Sequence, residues 1–527
     1  MPPTPCPRGA PTLLHAVRAS AALVAIAMLP FACTVGPDYE SPEIETPPVF
    51  STSLEDRPDD PEAPNLDRWW TRFGDPILDE LIAQAEAGSY DLKRAVAAIE
   101  QYRAGYGLAE SQLYPSISLG AAYSRNRTNA AQLGGLAAPA PFNAWTYGLD
   151  LATWELDVFG KLRRSIEASR GEYQASVEEW RNVLVTLRAE VASAYVGLRV
   201  LQARRAVVAE TVGLLERQLG IVAARRSAGT VTDLDLSESE ATLALALAEL
   251  PLVDAQVAQQ LNALSVLVGE YPGDLGRRLA EPAPIPQLDA PIETGVPAQL
   301  ILRRPDLRVA ERELAARVAS IGVAVAGLYP EVSLAGSIGI FATDFAGLGD
   351  IGNLTYRAGP QIVWNFFNGG LTRAQIAQAE AVADAAEIDY RAAVLEAVAE
   401  VETAASNVGY ASTSLRRVDR AVTDARRGIA LAIRQYEAGT IDLDRLIQYE
   451  RTVLDLEDKR LQASGLLGQN VVELCRSLGG DWAETPLPEA AADAYPEPMP
   501  DSSSSPDPES VPAAAPAVAR ATKESAS

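Results

Sequence analysis

Residues 113–123 are Leu-Tyr-Pro-Ser-Ile-Ser-Leu-Gly-Ala-Ala-Tyr, and residues 328–338 are Leu-Tyr-Pro-Glu-Val-Ser-Leu-Ala-Gly-Ser-Ile. A second pair of landmarks, Ala228-Gly229-Thr230 and Ala438-Gly439-Thr440, has a similar separation of roughly 210 residues. In each copy the predicted elements follow the same order: a helix, two strands with alternating apolar residues, and a very long helical stretch. Because this period is far longer than the 20–50 residues of solenoid repeats, we predict a duplicated unit.

Each copy contains two stretches in which apolar side chains alternate with polar or small ones. The apolar positions are Ile117, Leu119, Ala121 and Tyr123, then Trp145, Tyr147, Leu149 and Leu151, and in the second copy Val332, Leu334, Ile338 and Ile340, then Leu354, Tyr356, Ile362, Trp364 and Phe366. Alternation over about 9–11 residues, with aromatic residues near the ends, is typical of transmembrane β-strands. A half-buried soluble hairpin would alternate in the same way, so this pattern alone leaves both interpretations open.

Two proline-free stretches, from about Lys161 to Arg226 and from about Leu371 to Glu437, are rich in Ala, Leu, Val, Glu and Arg. As helices they would be roughly 100 Å long. Their frequent charges exclude a membrane span. Each ends at Ala-Gly-Thr, where glycine suits the left-handed end of a helix, and a return helix follows. We therefore predict two antiparallel helical hairpins.

The first 32 residues have the features of a lipoprotein signal peptide. Arg8 and Arg18 are followed by an apolar stretch at residues 19–29, shorter than the about 20 residues of a membrane-spanning helix. The sequence Leu29-Pro30-Phe31-Ala32-Cys33 resembles a bacterial lipobox, although Pro30 departs from the usual leucine. We expect cleavage before Cys33 and a lipid on its sulfur; an ordinary signal with an incidental cysteine is the alternative.

Composition excludes several classes of protein. The formal charge of −25 argues against nucleic acid as a partner. The single histidine is His15, and the cysteines are Cys6, Cys33 and Cys475. After processing, no histidine and one free thiol would remain, too few for a zinc site or a histidine-based triad. We therefore expect no enzyme, no cofactor and no metal, and we expect Cys475 to be a buried small apolar residue.

These patterns divide the chain into six parts. Residues 1–32 are the signal peptide, 33–75 an acylated N-terminal strap, and 76–270 the first repeat. Residues 271–302, rich in Pro and Gly at their start, form a connector, and 303–480 are the second repeat. Residues 481–527 are predicted to be a disordered tail because of their Pro, Ala, Ser and Glu content.

The predicted parts require an assembly. Four strands cannot close a membrane barrel, and open edges in lipid leave backbone groups unsatisfied. Two chains would give eight strands and a filled interior, whereas three would give twelve strands and an open one. Helices of roughly 100 Å must project into an aqueous compartment. The expected fold is a trimeric 12-stranded membrane β-barrel, four strands per chain, continuous with a long α-helical tunnel.

The chain resembles outer-membrane factors of the TolC type, in the lipoprotein branch that includes OprM and NodT. The motifs that support the resemblance span about residues 33–480: Cys33, Val35-Gly36-Pro37-Asp38-Tyr39, Pro42, Trp69-Trp70, Phe73-Gly74-Asp75-Pro76, Tyr114-Pro115, residues 154–160, Arg303-Arg304-Pro305-Asp306 and Tyr329-Pro330. The resemblance implies a homotrimer with a 12-stranded β-barrel in outer-membrane lipid and a long α-helical periplasmic tunnel, without a cofactor. It implies an exit duct for drugs, dyes, detergents or metals, joined through a periplasmic adaptor to an inner-membrane pump, expected to be of the RND type.

The resemblance also implies a periplasmic gate beside the two Ala-Gly-Thr turns. Alignment on these turns places Asp235 on a gate aspartate and Tyr436 on a gate tyrosine. The family's gate arginine falls on Ile441, and its paired acidic ring falls on Arg445 and Gln448, which are both departures. Asp442 and Asp444 lie nearby and are the alternative candidates for the ring.

Asp233 and Asp235 also have a purely structural interpretation. Both lie in a first helical turn, where carboxylates favour the positive end of the helix dipole. Thr232 and Asp235 together resemble a capping box, with Asp in place of Glu. Capping alone and capping combined with gating both remain open at this point.

Two other functions share these features. One is a structural periplasmic coiled-coil lipoprotein whose strands form a soluble sheet. The other is the outer-membrane component of a protein secretion system. The sequence does not select a transported substrate.

Overall fold

The computed structural model describes residues 34–47, 66–127, 141–287, 303–483, 485–491 and 494. The predicted signal peptide, Cys33, part of the connector and the chain after residue 494 lie outside the described residues.

Two copies of one structural unit follow each other along the chain. The first consists of α1 (Pro76–Gly88), α2 (Tyr90–Ser111), β1 (Ile117–Arg127), β2 (Pro141–Leu156), α3 (Lys161–Ser227) and α4 (Asp233–Leu267). After the short α5 (Asp274–Arg278), the second consists of α6 (Pro305–Ala326), β3 (Glu331–Ala342), β4 (Leu354–Val363), α7 (Leu371–Glu437) and α8 (Leu443–Ser477). The predicted internal duplication is confirmed.

The two helical hairpins are also confirmed. Both α3 and α7 contain 67 residues, and both α4 and α8 contain 35, so the long helices extend roughly 100 Å. The helical region predicted between Pro76 and Gln112 is instead two helices. Ser89 separates them, because its extended backbone ends α1 and its Oγ accepts from the Asp91 N–H at 3.2 Å to begin α2.

The four strands form one antiparallel sheet in the order β1-β2-β3-β4. The register places Leu119, Leu149, Ile338 and Tyr356 in one cross-strand row, and Ser118, Asp150, Ser337 and Arg357 in the next row on the opposite face. Alternation along each strand therefore gives the sheet one apolar face and one polar or small-residue face. Among the described residues, strands β1 and β4 are the unpaired edges of this sheet.

The lower end of the sheet is the end that joins the helices. In both copies, a hydrogen bond from a tryptophan to the Leu-Tyr-Pro motif fixes this end. Trp154 Nε1 donates to the Leu113 carbonyl at 3.0 Å, and Trp364 Nε1 donates to the Leu328 carbonyl at 3.1 Å. The predicted extension of β4 to Phe366 is wrong, because pairing stops where Glu331, next to Pro330, faces Val363. Trp364 then bonds to the turn instead of continuing the strand.

The long helices lie side by side in the order α4–α3–α8–α7. Near the middle of α3 they meet α1, α2 and the aromatic pair Trp69-Trp70 in the main hydrophobic core. Cys475 is fully buried there, and burial raises the pKa of its thiol. The prediction that Cys475 is buried is confirmed.

The packed part of the chain extends past residue 480. The guanidinium carbons of Arg181 and Arg308 lie 4.5 and 5.0 Å from the centre of the Trp482 ring, and Trp482 Nε1 donates to the Arg303 carbonyl at 2.8 Å. Ala490 and Ala491 are buried. A disordered tail that starts at residue 481 is therefore wrong for residues 481–483 and 485–491. The prediction of disorder used the average composition of residues 481–527, which does not take into account that Trp482 packs against the helices.

Candidate functional site: the tips of the two helical hairpins

Both hairpins turn at a glycine in the left-handed region, Gly229 with φ +74° and Gly439 with φ +66°. The Thr230 N–H donates to the Arg225 carbonyl at 3.0 Å, and the Thr440 N–H donates to the Gln435 carbonyl at 2.9 Å. Each threonine hydroxyl donates to the same carbonyl as its own N–H. These bonds satisfy carbonyls that the helix end would otherwise leave free, so both tips are closed turns.

The first return helix begins with a capping box. Thr232 Oγ1 accepts from the Asp235 N–H at 3.3 Å, and Asp235 Oδ2 accepts from the Thr232 N–H at 2.7 Å. Asp233 forms an ion pair with Arg226 through two contacts of 2.5 and 2.8 Å. The capping interpretation of Asp235 is confirmed, and both acids have partners inside the first hairpin.

Both carboxylates have a pKa below the ordinary aspartate value. Arg226 lowers the pKa of Asp233, and the backbone and hydroxyl of Thr232 lower the pKa of Asp235. Because the folded pKa is the lower one, the contacts stabilise the tip above about pH 4 and are lost as pH falls through the folded value. We expect rate-corrected amide exchange at the first tip to be unchanged between pH 7 and 5. A loss of protection within that window would contradict these ionisation states.

The acids of the second tip have two different roles. Asp442 Oδ1 accepts from the Arg445 N–H at 3.0 Å and thereby caps α8. Asp444 Oδ2 lies 2.8 Å from Nη1 of Arg225, which belongs to the first hairpin. Behind this ion pair, Leu214 of α3 packs against Ile447 and Leu454 of α8. An ion pair and an apolar cluster therefore join the two tips within one chain.

Sequence reasoning missed Arg225 and Arg226, which form ion pairs with Asp444 and Asp233. The available signal was an Arg-Arg pair in the last turn of α3, immediately before Ser-Ala-Gly-Thr. Tyr436 lies in the last turn of α7 and is 41% exposed. Within the described part of the chain, no hydrogen bond joins Tyr436 to Asp235.

The return helix of the first hairpin is unusually apolar. Among the described helices, α4 is long and apolar enough to cross a membrane by length and composition, and 6% of its apolar window is buried. Its position beside α3 in a hairpin instead makes it the outer helix of the layer.

An amphipathic four-stranded sheet continued by two hairpins of roughly 100 Å is the architecture of an outer-membrane channel subunit. The chain belongs to the outer membrane efflux protein family, whose sequence profile matches residues 81–270 and 296–480. It is an outer-membrane efflux channel protein with its helical hairpins in the periplasm, and its family consists of channels rather than enzymes.

Known proteins support this assignment over most of the chain. Outer membrane protein OprJ of Pseudomonas aeruginosa is 31% identical over 470 residues, which cover 88% of this chain and 96% of OprJ. The toluene efflux pump outer membrane protein TtgF of Pseudomonas putida is 30% identical over 417 residues, covering 79% and 85%.

Solved structures agree with these relatives. The outer-membrane channel OprN has a TM-score of 0.77 at 32% identity and covers 85% of this chain and 100% of that chain. The open state of the MtrE channel of Neisseria gonorrhoeae has a TM-score of 0.74 at 26% identity, covering 85% and 98%. The predicted fold class is confirmed.

Proposed function

We propose that three copies of this chain close one β-barrel and one helical tunnel. The observation that carries this proposal is the sheet, which has open edges at β1 and β4 and one apolar face. In lipid, unpaired edges leave backbone groups without partners, so β4 of one copy must meet β1 of the next. Twelve strands leave an open lumen, whereas eight would be filled by side chains.

The helical layer, like the sheet, has two edges that no other part of the described chain covers. Its outer members are α4 and α7, one from each repeat. Both expose large apolar side chains along their length: Leu234, Leu245 and Leu252 on α4, and Ile388, Leu395 and Leu431 on α7. Contact between α4 of one copy and α7 of the next would bury these surfaces and continue the threefold closure through the periplasm.

The assembled trimer is proposed to be the exit duct of a tripartite efflux system. A periplasmic adaptor would join the tips to an inner-membrane pump, expected to be of the RND type, which supplies the energy. Small molecules would pass through the lumen without a cofactor. Cys33 would carry the lipid that anchors the N-terminus in the outer membrane. The relatives named for efflux pumps support this proposal.

Two measurements on the purified mature protein test the proposed duct. We expect a heat-labile trimer that resists dissociation in detergent at room temperature, and single-channel currents in planar bilayers. A structural coiled-coil lipoprotein would give neither ion conduction nor a membrane-inserted sheet. Monomeric, non-conducting protein would therefore reject the duct.

The tips are proposed to be its periplasmic gate. Asp233 and Asp235 stiffen the first turn, while Asp442 and Asp444 place carboxylates at the second. The ion pair between Arg225 and Asp444 restrains the second hairpin against the first in each copy. Tyr436 is exposed beside the second tip and is available to a neighbouring copy.

Replacing Asp442 with asparagine is expected to weaken the preference of the channel for cations. Asparagine caps a helix about as well as aspartate, so Asp442→Asn removes three charges per trimer while it keeps the start of α8. Reversal potentials under a KCl gradient measure the effect.

Asp455→Asn is the matched control, because Asp455 lies on the same helix about 20 Å further from the tip, beyond the Debye length of about 8 Å. The control is expected to leave selectivity unchanged. An equal reversal potential in Asp442→Asn and the unmodified protein would remove Asp442 from the gate.

A further inference from the structure

The strap begins with residues that occupy a groove between α3 and α6. The Val35 N–H donates to the Phe159 carbonyl at 3.2 Å. Gly36 has φ +91°, and a Cβ added to it would lie 2.4 Å from Cα of Gly322 on α6. The groove therefore admits a backbone with a glycine in the left-handed region and excludes a side chain at this position.

Arg164 of α3 forms the floor of this groove. Its side chain is 4% exposed. Its Nε donates to the Val35 carbonyl at 3.2 Å, and its Nη2 donates to the Gly36 carbonyl at 3.3 Å and to Asp38 Oδ1 at 2.6 Å.

The close fit also depends on Gly322, because a Cβ there would lie 2.7 Å from Cγ of Arg164. Nη1 of Arg164 donates to Glu167 at 2.8 Å, so the strap and one acid of α3 together satisfy the guanidinium. A buried guanidinium without acceptors is strongly unfavourable. The Asp38 side chain is 88% exposed, so solvent partly screens its ion pair with the buried Arg164.

The strap then continues onto the second repeat. Tyr39 donates to Glu311 Oε1 at 3.3 Å, and Tyr39 and Ile44 pack against the cluster that contains Leu307 and Tyr390. One short segment therefore contacts α3 of the first repeat and both α6 and α7 of the second.

We propose that Arg164 and Gly322 form a receptor, that is, a binding site, for strap residues 34–38. The bound strap holds the two repeats together at the lower end of the sheet. The receptor lies between Leu156, the last residue of β2, and the first turns of α3. Thr34 packs directly on Gly160, since a Cβ added to Gly160 would lie 2.4 Å from Cγ2 of Thr34.

The receptor also fixes the height of the N-terminal anchor, a part of the inference that rests on the proposed acylation of Cys33. Cys33 directly precedes Thr34 in the sequence, and Thr34 contacts Gly160. A lipid on Cys33 is therefore attached only one residue away from a fixed point at the lower end of the sheet. The acyl chains would then enter the membrane at the same level as the barrel. The Val35-Gly36-Pro37-Asp38-Tyr39 motif receives a physical explanation: Gly36 fits the groove, and Asp38 and Tyr39 bind one repeat each.

Hydrogen exchange of the full-length protein in detergent tests the receptor. Mass spectrometry would follow a peptide covering residues 33–47, because the label on the first two residues of a peptide is lost during digestion and Val35 is then the third. We expect protection of Val35 in the unmodified protein, and its loss in Arg164→Gln and in Gly36→Ala. Gly36→Ala changes only the strap, so the helices and the sheet remain able to fold. Arg205→Gln is the control on the same helix, because Arg205 pairs with Asp254 about 60 Å along α3 from Arg164, and it is expected to keep protection.

A Cys33→Ser arm separates the receptor from the lipid. Protection in Cys33→Ser that is lost when Arg164→Gln is added supports the receptor. Protection retained in both Arg164→Gln and Gly36→Ala overturns it, as does loss of protection in Cys33→Ser alone, because a lipid would then hold the strap. Trimer formation and conductance are measured on the same samples, so a failure of the proposed duct is seen separately.

Discussion

Replacing Ile338 with arginine is expected to prevent insertion of the protein into the outer membrane. Ile338 lies in the central strand β3, on the apolar face between Leu149 and Tyr356. An arginine on the lipid face near the bilayer centre costs about 2–4 kcal/mol, and a trimer would contain three. The measurement is the fraction of chains recovered as heat-labile trimer from outer membranes.

Ser337→Arg is the matched control, one residue away on the opposite face. Ser337 lies between Asp150 and Arg357 in the polar row, so an added guanidinium would face the aqueous lumen and an acid. We expect Ser337→Arg to assemble normally. Equal assembly of the two variants would show that the apolar face does not contact lipid.

Replacing Arg225 with glutamate is expected to raise the open probability of the channel. The side chains of Arg225 and Asp444 are 36% and 50% exposed, so the pair contributes about 0.2–1 kcal/mol in each copy. If the three copies open together, the total of about 0.6–3 kcal/mol shifts the closed–open equilibrium roughly 3-fold to 150-fold. Repulsion between the introduced carboxylate and Asp444 would increase the shift. Mean conductance in planar bilayers reports it.

The exchanged pair Arg225→Glu with Asp444→Arg provides the control. It restores opposite charges across the two hairpins and is expected to return conductance toward that of the unmodified protein. A double variant that conducts as much as Arg225→Glu alone would show that the ion pair does not restrain the tip.

Much of the fold was predictable because local signals agreed over long stretches. Proline-free sequence between Lys161 and the Ala-Gly-Thr turn defined α3 to within one or two residues, since the helix end and its glycine cap coincide. Strand alternation gave the two faces of the sheet. The break at Ser89 and the early end of β4 were missed, because a cap and a tryptophan hydrogen bond replace the regular pattern there.

The candidate site was predictable in position and less so in its contacts. The capping box of Thr232 and Asp235 is local in sequence and was recognised. The pairing of Arg225 with Asp444 joins residues 219 positions apart, and the pairing of Arg164 with Val35 joins residues 129 apart. These residues come together only because α3 packs against α8 and against the strap. Such contacts cannot be predicted from the residues next to each position in the sequence.

Disulfide trapping between the two edge strands tests threefold closure most directly. Within one chain, β1 and β4 are separated by β2 and β3, so their Cα atoms are about 14 Å apart, beyond the reach of a disulfide. Leu119→Cys would be combined in turn with cysteine at Leu354, Tyr356 and Ala358, since the register between copies is open. Buried Cys475 is not expected to interfere. We predict that at least one pair gives covalent species of two and three chains and none larger, while single variants stay monomeric. Monomers from every pair, or a ladder that continues beyond three chains, would contradict a closed threefold barrel.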